Sequence, residues 1–243
     1  MKKYQMMLLS ASIPLMTGAL SAAVVVNADF SRDNTGPLGG NAAVLYTSTG
    51  PAPDTGTIWT DYEVALTGTG DTIPAGYTLS NLPASDGSAT TIDIQLTSGF
   101  FRSFNGTVAA SGNDQDALQN ERIFSNNNNT GIITISGLNP ALTYDLYMIA
   151  SGFNTTYSAG GETTTAFGTV NTVDGTKVWT DGTHYASFSG LSPSVTGTIA
   201  LGVTGNGQQF GAIGGLQIVA VPEPSMVALL LGSVFGIALG RRR

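Results

Sequence analysis

The chain has 243 residues, of which 32 are glycine, none is cysteine and only 10% are charged. Without the two terminal segments described below, four basic residues remain against fifteen acidic ones, a net charge of −11. Such a surface repels phosphate backbones, which argues against nucleic acid as a partner. The absence of cysteine excludes disulfides as a source of stability.

The first 23 residues have the features of a secretory signal peptide. Lys2 and Lys3 precede an apolar stretch over residues 6–16, and the small residues Ser21 and Ala23 follow it. This order of basic, apolar and small residues is typical of a cleaved export signal. We therefore expect the secretion machinery to export the chain and signal peptidase to cut it after Ala23.

Residues 24–220 are predicted to form one all-β domain, an antiparallel β-sandwich. Apolar and polar residues alternate in segments 91–96, 144–149 and 198–203, which is the pattern of strands with one buried face. Clusters rich in Gly, Asn and Pro separate these segments and predict turns. Residues 214–219 are predicted to be the last strand, which leads almost directly into Pro222.

One segment of this domain, residues 114–124, is also compatible with a short helix capped by Asp114 or Asp116. The two carboxylates, two residues apart, are oxygen ligands of the kind that Ca²⁺ prefers. The later glutamate of an EF-hand is missing, however, and turn formation accounts for the same residues. A structural Ca²⁺ and the absence of any cofactor are therefore both open.

His184 is the chain's single histidine and lies in the sequence Asp181-Gly-Thr-His184. This spacing resembles the one by which a family of serine esterases places the acid and the base of its triad. The nearest counterpart of that family's Gly-Asp-Ser block is residues 70–72, which have Thr in the place of Ser, and a triad needs its nucleophile. We therefore expect a loop histidine, no catalytic residue and no enzymatic activity, with a hydrolase of polysaccharides or esters as the distant alternative.

Trp179 and Tyr185 flank the same Asp181–His184 loop. Sugar rings stack on exposed aromatic faces beside polar groups, so the two residues together would suit a glycan-binding site. A sandwich of this size can equally bury its tryptophans in its core. Trp59 and Tyr157 have the same two interpretations.

The chain ends in VPEPSMVALLLGSVFGIALGRRR. Residues 226–239 carry no charge, and as a helix they would extend ~21 Å at about 1.5 Å per residue, short of a roughly 30 Å hydrocarbon core. Arg241, Arg242 and Arg243 can lengthen the effective span because their side chains reach the headgroups. We predict a short transmembrane helix over 226–240 with its basic end on the cytoplasmic side; a buried core helix is the alternative.

Val221, Pro222, Glu223, Pro224 and Ser225, followed by the apolar run and the arginine cluster of residues 241–243, resemble the PEP-CTERM sorting signal of Gram-negative bacteria. The resemblance implies an exosortase-type membrane transpeptidase as a partner and cleavage near Pro-Glu-Pro. It also implies export across the inner membrane, transient anchoring by the C-terminal helix, and delivery to the cell surface or the extracellular matrix, where such proteins accompany exopolysaccharide and biofilm.

Two stretches of the middle domain, residues 133–147 and 210–218, resemble segments of galactose-binding-like jelly rolls of bacterial surface proteins. Gly214 stands where those proteins often have Asn. The resemblance implies a jelly-roll-like sandwich but locates no binding site. The expected function is a non-enzymatic surface or matrix protein associated with exopolysaccharide, with a carbohydrate-binding module that has a defined glycan site as the alternative.

Overall fold

The computed structural model describes part of the chain, and every element in that part is a strand or a connection between strands. The all-β prediction is therefore confirmed for the described residues. None of them forms a helix with the length and apolar character of a membrane span, and the predicted helix over 226–240 lies outside them. The described residues are 23–30, 43–45, 50–52, 58–61, 73, 75–102, 122–125, 129–168 and 179–221.

Fifteen strands occur in this part of the chain. In chain order they are β1 (Val25–Asp29), β2 (Ala43–Leu45), β3 (Ile58–Asp61), β4 (Tyr77–Leu79), β5 (Asp93–Ser98), β6 (Phe100–Arg102), β7 (Ile123–Ser125), β8 (Gly131–Ser136), β9 (Thr143–Ile149), β10 (Thr155–Ala159), β11 (Glu162–Ala166), β12 (Tyr185–Leu191), β13 (Ile199–Gly205), β14 (Ala212–Ile213) and β15 (Gly215–Val221).

The strands form two six-stranded sheets and one small sheet. The first sheet has the order β12-β9-β15-β1-β3-β2, the second β11-β10-β13-β8-β5-β4, and the small sheet β14-β7-β6. Strands β1 and β3 pair in parallel, and the other described pairs are antiparallel. The arrangement is consistent with a β-sandwich, because one apolar cluster collects side chains from both large sheets.

The strand pattern follows directly from the alternation of side chains. In β8, Ile133 and Ile135 are buried in the core while Thr134 between them is half-buried on the other face. In β9, Leu146 and Met148 are fully buried, and Asp145 and Tyr147 point the other way. The strands predicted over 91–96, 144–149, 198–203 and 214–219 correspond to β5, β9, β13 and β15.

The helix considered for residues 114–124 is wrong at its C-terminal end. Ile123 and Phe124 belong to β7, where they pair with β6 and β14. The physical reason is burial: Ile123 and Ser125 are enclosed on one face while Phe124 lies half-buried on the other, a period of two rather than 3.6. Asp114 and Asp116, which are the proposed calcium ligands, lie outside the described residues.

Tight turns of the sandwich use glycine where the backbone needs it. Gly160 and Gly161 both have positive φ, at 60° and 86°, and join β10 to β11 in a two-residue hairpin. Gly137, at φ 72°, follows β8 and packs so closely on the loop before β5 that a Cβ there would overlap the carbonyl oxygen of Thr91. Turns of this kind account for part of the glycine excess in the composition.

The two ends of the described domain lie side by side. Val25 of β1 pairs with Val219 of β15, and the Ala220 amide donates to the Val24 carbonyl at 2.8 Å. We call this the terminal end of the sandwich, because β1 starts and β15 finishes there. The opposite end, where β9 finishes at Ile149 and β15 starts at Gly215, is called the apical end.

Part of the outer face of the first sheet is covered and polar. Gln217 is fully buried there; its Nε2 donates to Asn27 Oδ1 at 2.8 Å, and its Oε1 accepts from the Ala52 amide at 3.0 Å. Asn27 Nδ2 in turn donates to the Ile58 carbonyl at 3.0 Å. Residues 50–52 therefore lie over the middle of the sheet, and Trp59 is buried close by, with a ring carbon 3.3 Å from where a Gly215 Cβ would lie.

Candidate functional site

The two aromatic residues predicted to contact glycan, Trp179 and Tyr185, are both half-buried at the apical end. Tyr185 opens β12 and pairs with Ile149 at the end of β9. Since Ala186 and Phe188 point into the core, Tyr185 and Ser187 occupy the opposite, outer face of the first sheet. Trp179 comes just before the Asp181–His184 loop that leads into this strand.

A second tyrosine, Tyr147, lies next to Tyr185 on that outer face. The two ring centroids are 6.0 Å apart and the ring planes are inclined by 45°, within the range of a favourable aromatic pair. Tyr147 also packs against Val25, Ala52 and Val219, at the border of the covered part of the sheet. The rings therefore form an apolar platform fixed on a rigid pair of strands.

Two carboxylates border this platform. Asp145 Oδ1 accepts from the Gly190 amide at 2.7 Å, at the irregularity where the β12 register shifts. Asp181 Oδ1 accepts from the Gly182 amide at 3.0 Å, and its Oδ2 receives a long bond of 3.5 Å from Ser187 Oγ. An ionised carboxylate has about four lone-pair sites, so each retains acceptor capacity toward a ligand. The name tyrosine face is used below for Asp145, Tyr147, Asp181, Tyr185 and Ser187.

The electrostatics of the tyrosine face keep both phenols protonated. Burial raises the pKa of Tyr147, and the negative charge of Asp145 raises it further. Burial and the charge of Asp181 likewise raise the pKa of Tyr185. Both hydroxyls are therefore hydrogen-bond donors at neutral pH, beside carboxylates that accept.

His184 is buried and braces the loop that precedes β12. Its Nδ1 accepts from the Thr180 amide at 3.1 Å, and its backbone amide donates to the Thr180 carbonyl at 2.8 Å. A triad base instead donates from Nδ1 to its carboxylate. The oxygens of Asp181 bond to Gly182 and Ser187, so Asp181 and His184 do not have the geometry of a triad's acid and base.

The other residues singled out in the sequence are scattered. Trp59 and Tyr157 are fully buried. Residues 70–72 lie outside the described part of the chain, as do Pro222 to Ser225 and the arginines 241–243. Within the described residues, no group of three or more His, Asp or Glu side chains could hold a metal ion.

A cleft of about 440 Å³ opens at the terminal end. It is lined largely by apolar atoms from the start of β1, the loop before β5 and the end of β15, including Val24, Ile92, Leu142, Tyr144 and Ala220. The cleft lies where the chain leaves the sandwich on both sides. No pattern in the sequence indicated it, since its walls come from four segments that are far apart in the chain.

Asp145, Tyr147 and Ser187 are the members of the tyrosine face that sequence reasoning missed. The signal was present: the alternation that buries Leu146 and Met148 also places Asp145 and Tyr147 on the outer face. What the alternation could not show is which strand lies beside β9. The pairing with β12, which joins residues about 40 apart in the chain, brings Tyr185 to it.

Comparison of the chain with protein-family models, with curated proteins and with solved structures gave no match. The class of protein is therefore given by the fold alone, as an all-β protein with antiparallel sheets arranged as in a sandwich.

Proposed function

We propose that this protein is an exported, non-enzymatic surface or matrix protein that associates with extracellular polysaccharide through its tyrosine face. The observation that carries the proposal is the contact between Tyr147 and Tyr185, two half-buried rings held 6.0 Å apart on an outer sheet face between two carboxylates. The ring faces suit the C–H side of a pyranose, and the carboxylates suit its hydroxyls. We further propose that the sandwich is of the jelly-roll type, because the chain passes repeatedly from one large sheet to the other between β8 and β15.

Asp145 and Asp181 determine which glycans suit this face. The two negative charges beside the rings repel an acidic sugar at this face. A neutral glycan meets no such repulsion, and its hydroxyls can donate to both carboxylates. The tyrosine face is therefore proposed to bind neutral sugars, with low affinity per site because the contact area is small.

The position of the chain ends supports the proposed delivery. Cleavage after Ala23 and cleavage near Pro222–Pro224 would both occur at the terminal end, where β1 and β15 are neighbours. A chain held at that end by a C-terminal membrane segment would present its apical end outward. Tyr185 lies toward the apical end of the first sheet, which keeps the tyrosine face clear of the membrane.

Intact mass of the protein isolated from its host tests the delivery. Loss of residues 1–23 together with the residues after about 225 is expected for signal-peptidase and exosortase cleavage. A mature mass that retains Arg241–Arg243 would contradict sorting by cleavage and would leave a tail-anchored protein instead.

Calorimetric titration with the neutral fraction of the host's extracellular polysaccharide, with and without Ca²⁺, tests the glycan contact. Saturable heat that is lost in Tyr147→Ala and Tyr185→Ala, and retained in the matched Tyr77→Ala on the other large sheet, is the expected result. Tyr185→Phe should keep most of the affinity because the ring face remains. An absence of heat in every titration would refute the contact and favour a purely structural matrix role.

A further inference from the structure

A second cluster of aromatic side chains lies at the apical end and shares no residue with the tyrosine face. Phe124 comes from β7, Phe153 from the loop between β9 and β10, and Phe210 from the loop between β13 and β14. Their ring centroids are 5.2 to 6.4 Å apart, and each side chain is only half-buried. With Arg122, which precedes β7, they are called the apical cluster.

The guanidinium of Arg122 is fixed in this cluster. Its central carbon lies 5.0 Å from the centroid of the Phe153 ring, a cation–π distance. Its Nη1 donates to the carbonyl oxygen of Ser151 at 3.3 Å and to Ser151 Oγ at 3.4 Å. A Cβ on Gly152, whose φ is 69°, would overlap Nη1, so the loop is shaped closely around the cation.

Arg122 nevertheless has no anionic partner in the part of the chain that the structure describes. Its Nε is buried without a hydrogen bond, and its described hydrogen bonds are the two from Nη1 to Ser151. Burial lowers the pKa of the guanidinium, in line with the cost of removing a charge from water. Among the described residues, Ser151 and Phe153 hold the guanidinium, and no carboxylate does, an arrangement that suits an anion from outside.

The described loops at the rim of the apical cluster carry amide side chains. Asn206 Nδ2 donates to Asn154 Oδ1 at 3.2 Å, and Gln208 Oε1 accepts from the Asn154 amide at 3.3 Å. These groups come from the same two loops as Phe153 and Phe210. A ligand at Arg122 would therefore meet phenyl faces on one side and neutral donors and acceptors on the other, which is the composition that a pyranose ring with hydroxyls requires.

We propose that the apical cluster binds a uronic acid, a carboxylate-bearing sugar of an acidic polysaccharide, with the carboxylate on Nη2 of Arg122 and the ring against Phe153 and Phe210. Arginine suits this role because its planar fork matches a carboxylate and stays charged even when desolvated. The site shares no residue with the tyrosine face and differs in ligand charge. The inference takes its polysaccharide from the proposed function, but its geometry is independent of it.

The test is calorimetric titration of the full-length protein in detergent with oligomers of galacturonic, glucuronic and mannuronic acid, and with the methyl ester of each. At least one acid should bind saturably. The affinity of its ester should be at least about tenfold lower, since hydrogen bonds to charged groups are the stronger ones. Added salt should lower the affinity of the acid because it screens the charges. Equal binding of acid and ester, or no binding of any of the three acids, overturns the proposal.

Two variants and one control assign the effect to the site. Arg122→Met, which keeps the apolar stem, should abolish binding of the acid, and Arg122→Lys should weaken it because the fork is lost. Thr163→Glu on β11 alters the net charge by the same amount at the terminal end and should bind as the wild type does. Wild-type affinity in a folded Arg122→Met protein refutes the assignment. If that variant does not fold, the comparison of acid and ester decides the question instead.

Two further outcomes define the ligand of this site and distinguish the site from the tyrosine face. If acetate alone competes as strongly as a uronate oligomer, the site takes small anions and the sugar part of the proposal is wrong. Neutral glycan binding that depends on Tyr147 and Tyr185 but not on Arg122 tests the tyrosine face. The two sites can thus fail separately.

Discussion

Replacing Tyr157 by phenylalanine removes a single hydroxyl from the interior of the sandwich. Tyr157 lies on β10 and is fully buried, and its hydroxyl donates to the carbonyl oxygen of Ala212 on β14 at 2.7 Å. Ala212 is also fully buried, and its amide donates to Thr155 Oγ1 at 2.9 Å. The hydroxyl thus joins the small sheet to the second large sheet.

The expected cost follows from what remains after the substitution. The carbonyl of Ala212 loses its partner in a place that water does not reach, and an unsatisfied buried acceptor costs about 1–3 kcal/mol. The ring itself stays, so no cavity larger than one oxygen atom opens. For a domain of this size, each kcal/mol lowers Tm by roughly 2–4 °C, and Tyr157→Phe should therefore lower Tm by about 2–12 °C.

Urea unfolding followed by circular dichroism, with scanning calorimetry for Tm, measures this change. Tyr185→Phe is the matched control, because its ring is half-buried on the outer face and its hydroxyl has no hydrogen-bond partner within the described residues; its stability should change by less than about 0.5 kcal/mol. If Tyr157→Phe is as stable as the wild type, or if both variants lose the same free energy, the hydroxyl does not join the sheets in the way described.

Three further predictions concern stability. Gly137→Ala should cost about 2–5 kcal/mol from overlap and positive φ, whereas Gly161→Ala, which has open space, should cost only about 1–2; equal midpoints in urea would contradict this. Gln217→Leu should cost about 2–5 kcal/mol, since both of its buried partners lose a bond; an unchanged urea midpoint would refute the network. Because the pKa values of Tyr147 and Tyr185 are raised in the folded state, their stabilisation is complete below about pH 10 and is lost as the pH rises further; urea midpoints that stay constant from about pH 9 to 11 would argue against it.

The candidate site was only half visible in the sequence. The Asp181–His184 loop and Tyr185 stood out because an acidic loop beside an aromatic residue is a local pattern. Tyr147 and Arg122 did not, since the aromatic ring that each contacts lies far along the chain. Tyr147 contacts Tyr185 on the paired strand β12, and Arg122 contacts Phe153 in the loop after β9. Local pattern predicts which face a side chain takes, but strand order decides its neighbours.

The sequence by itself determined the class of fold and several strands, because a period of two is a property of each strand alone. It also predicted the turns, since glycine at positive φ is a local requirement. The tertiary structure alone decided that β1 pairs in parallel with β3, that Gln217 is buried in a polar network, and that the first and last strands of the domain lie side by side. These features depend on which strands become neighbours, and that choice is made by the packing of the whole core rather than by any single segment.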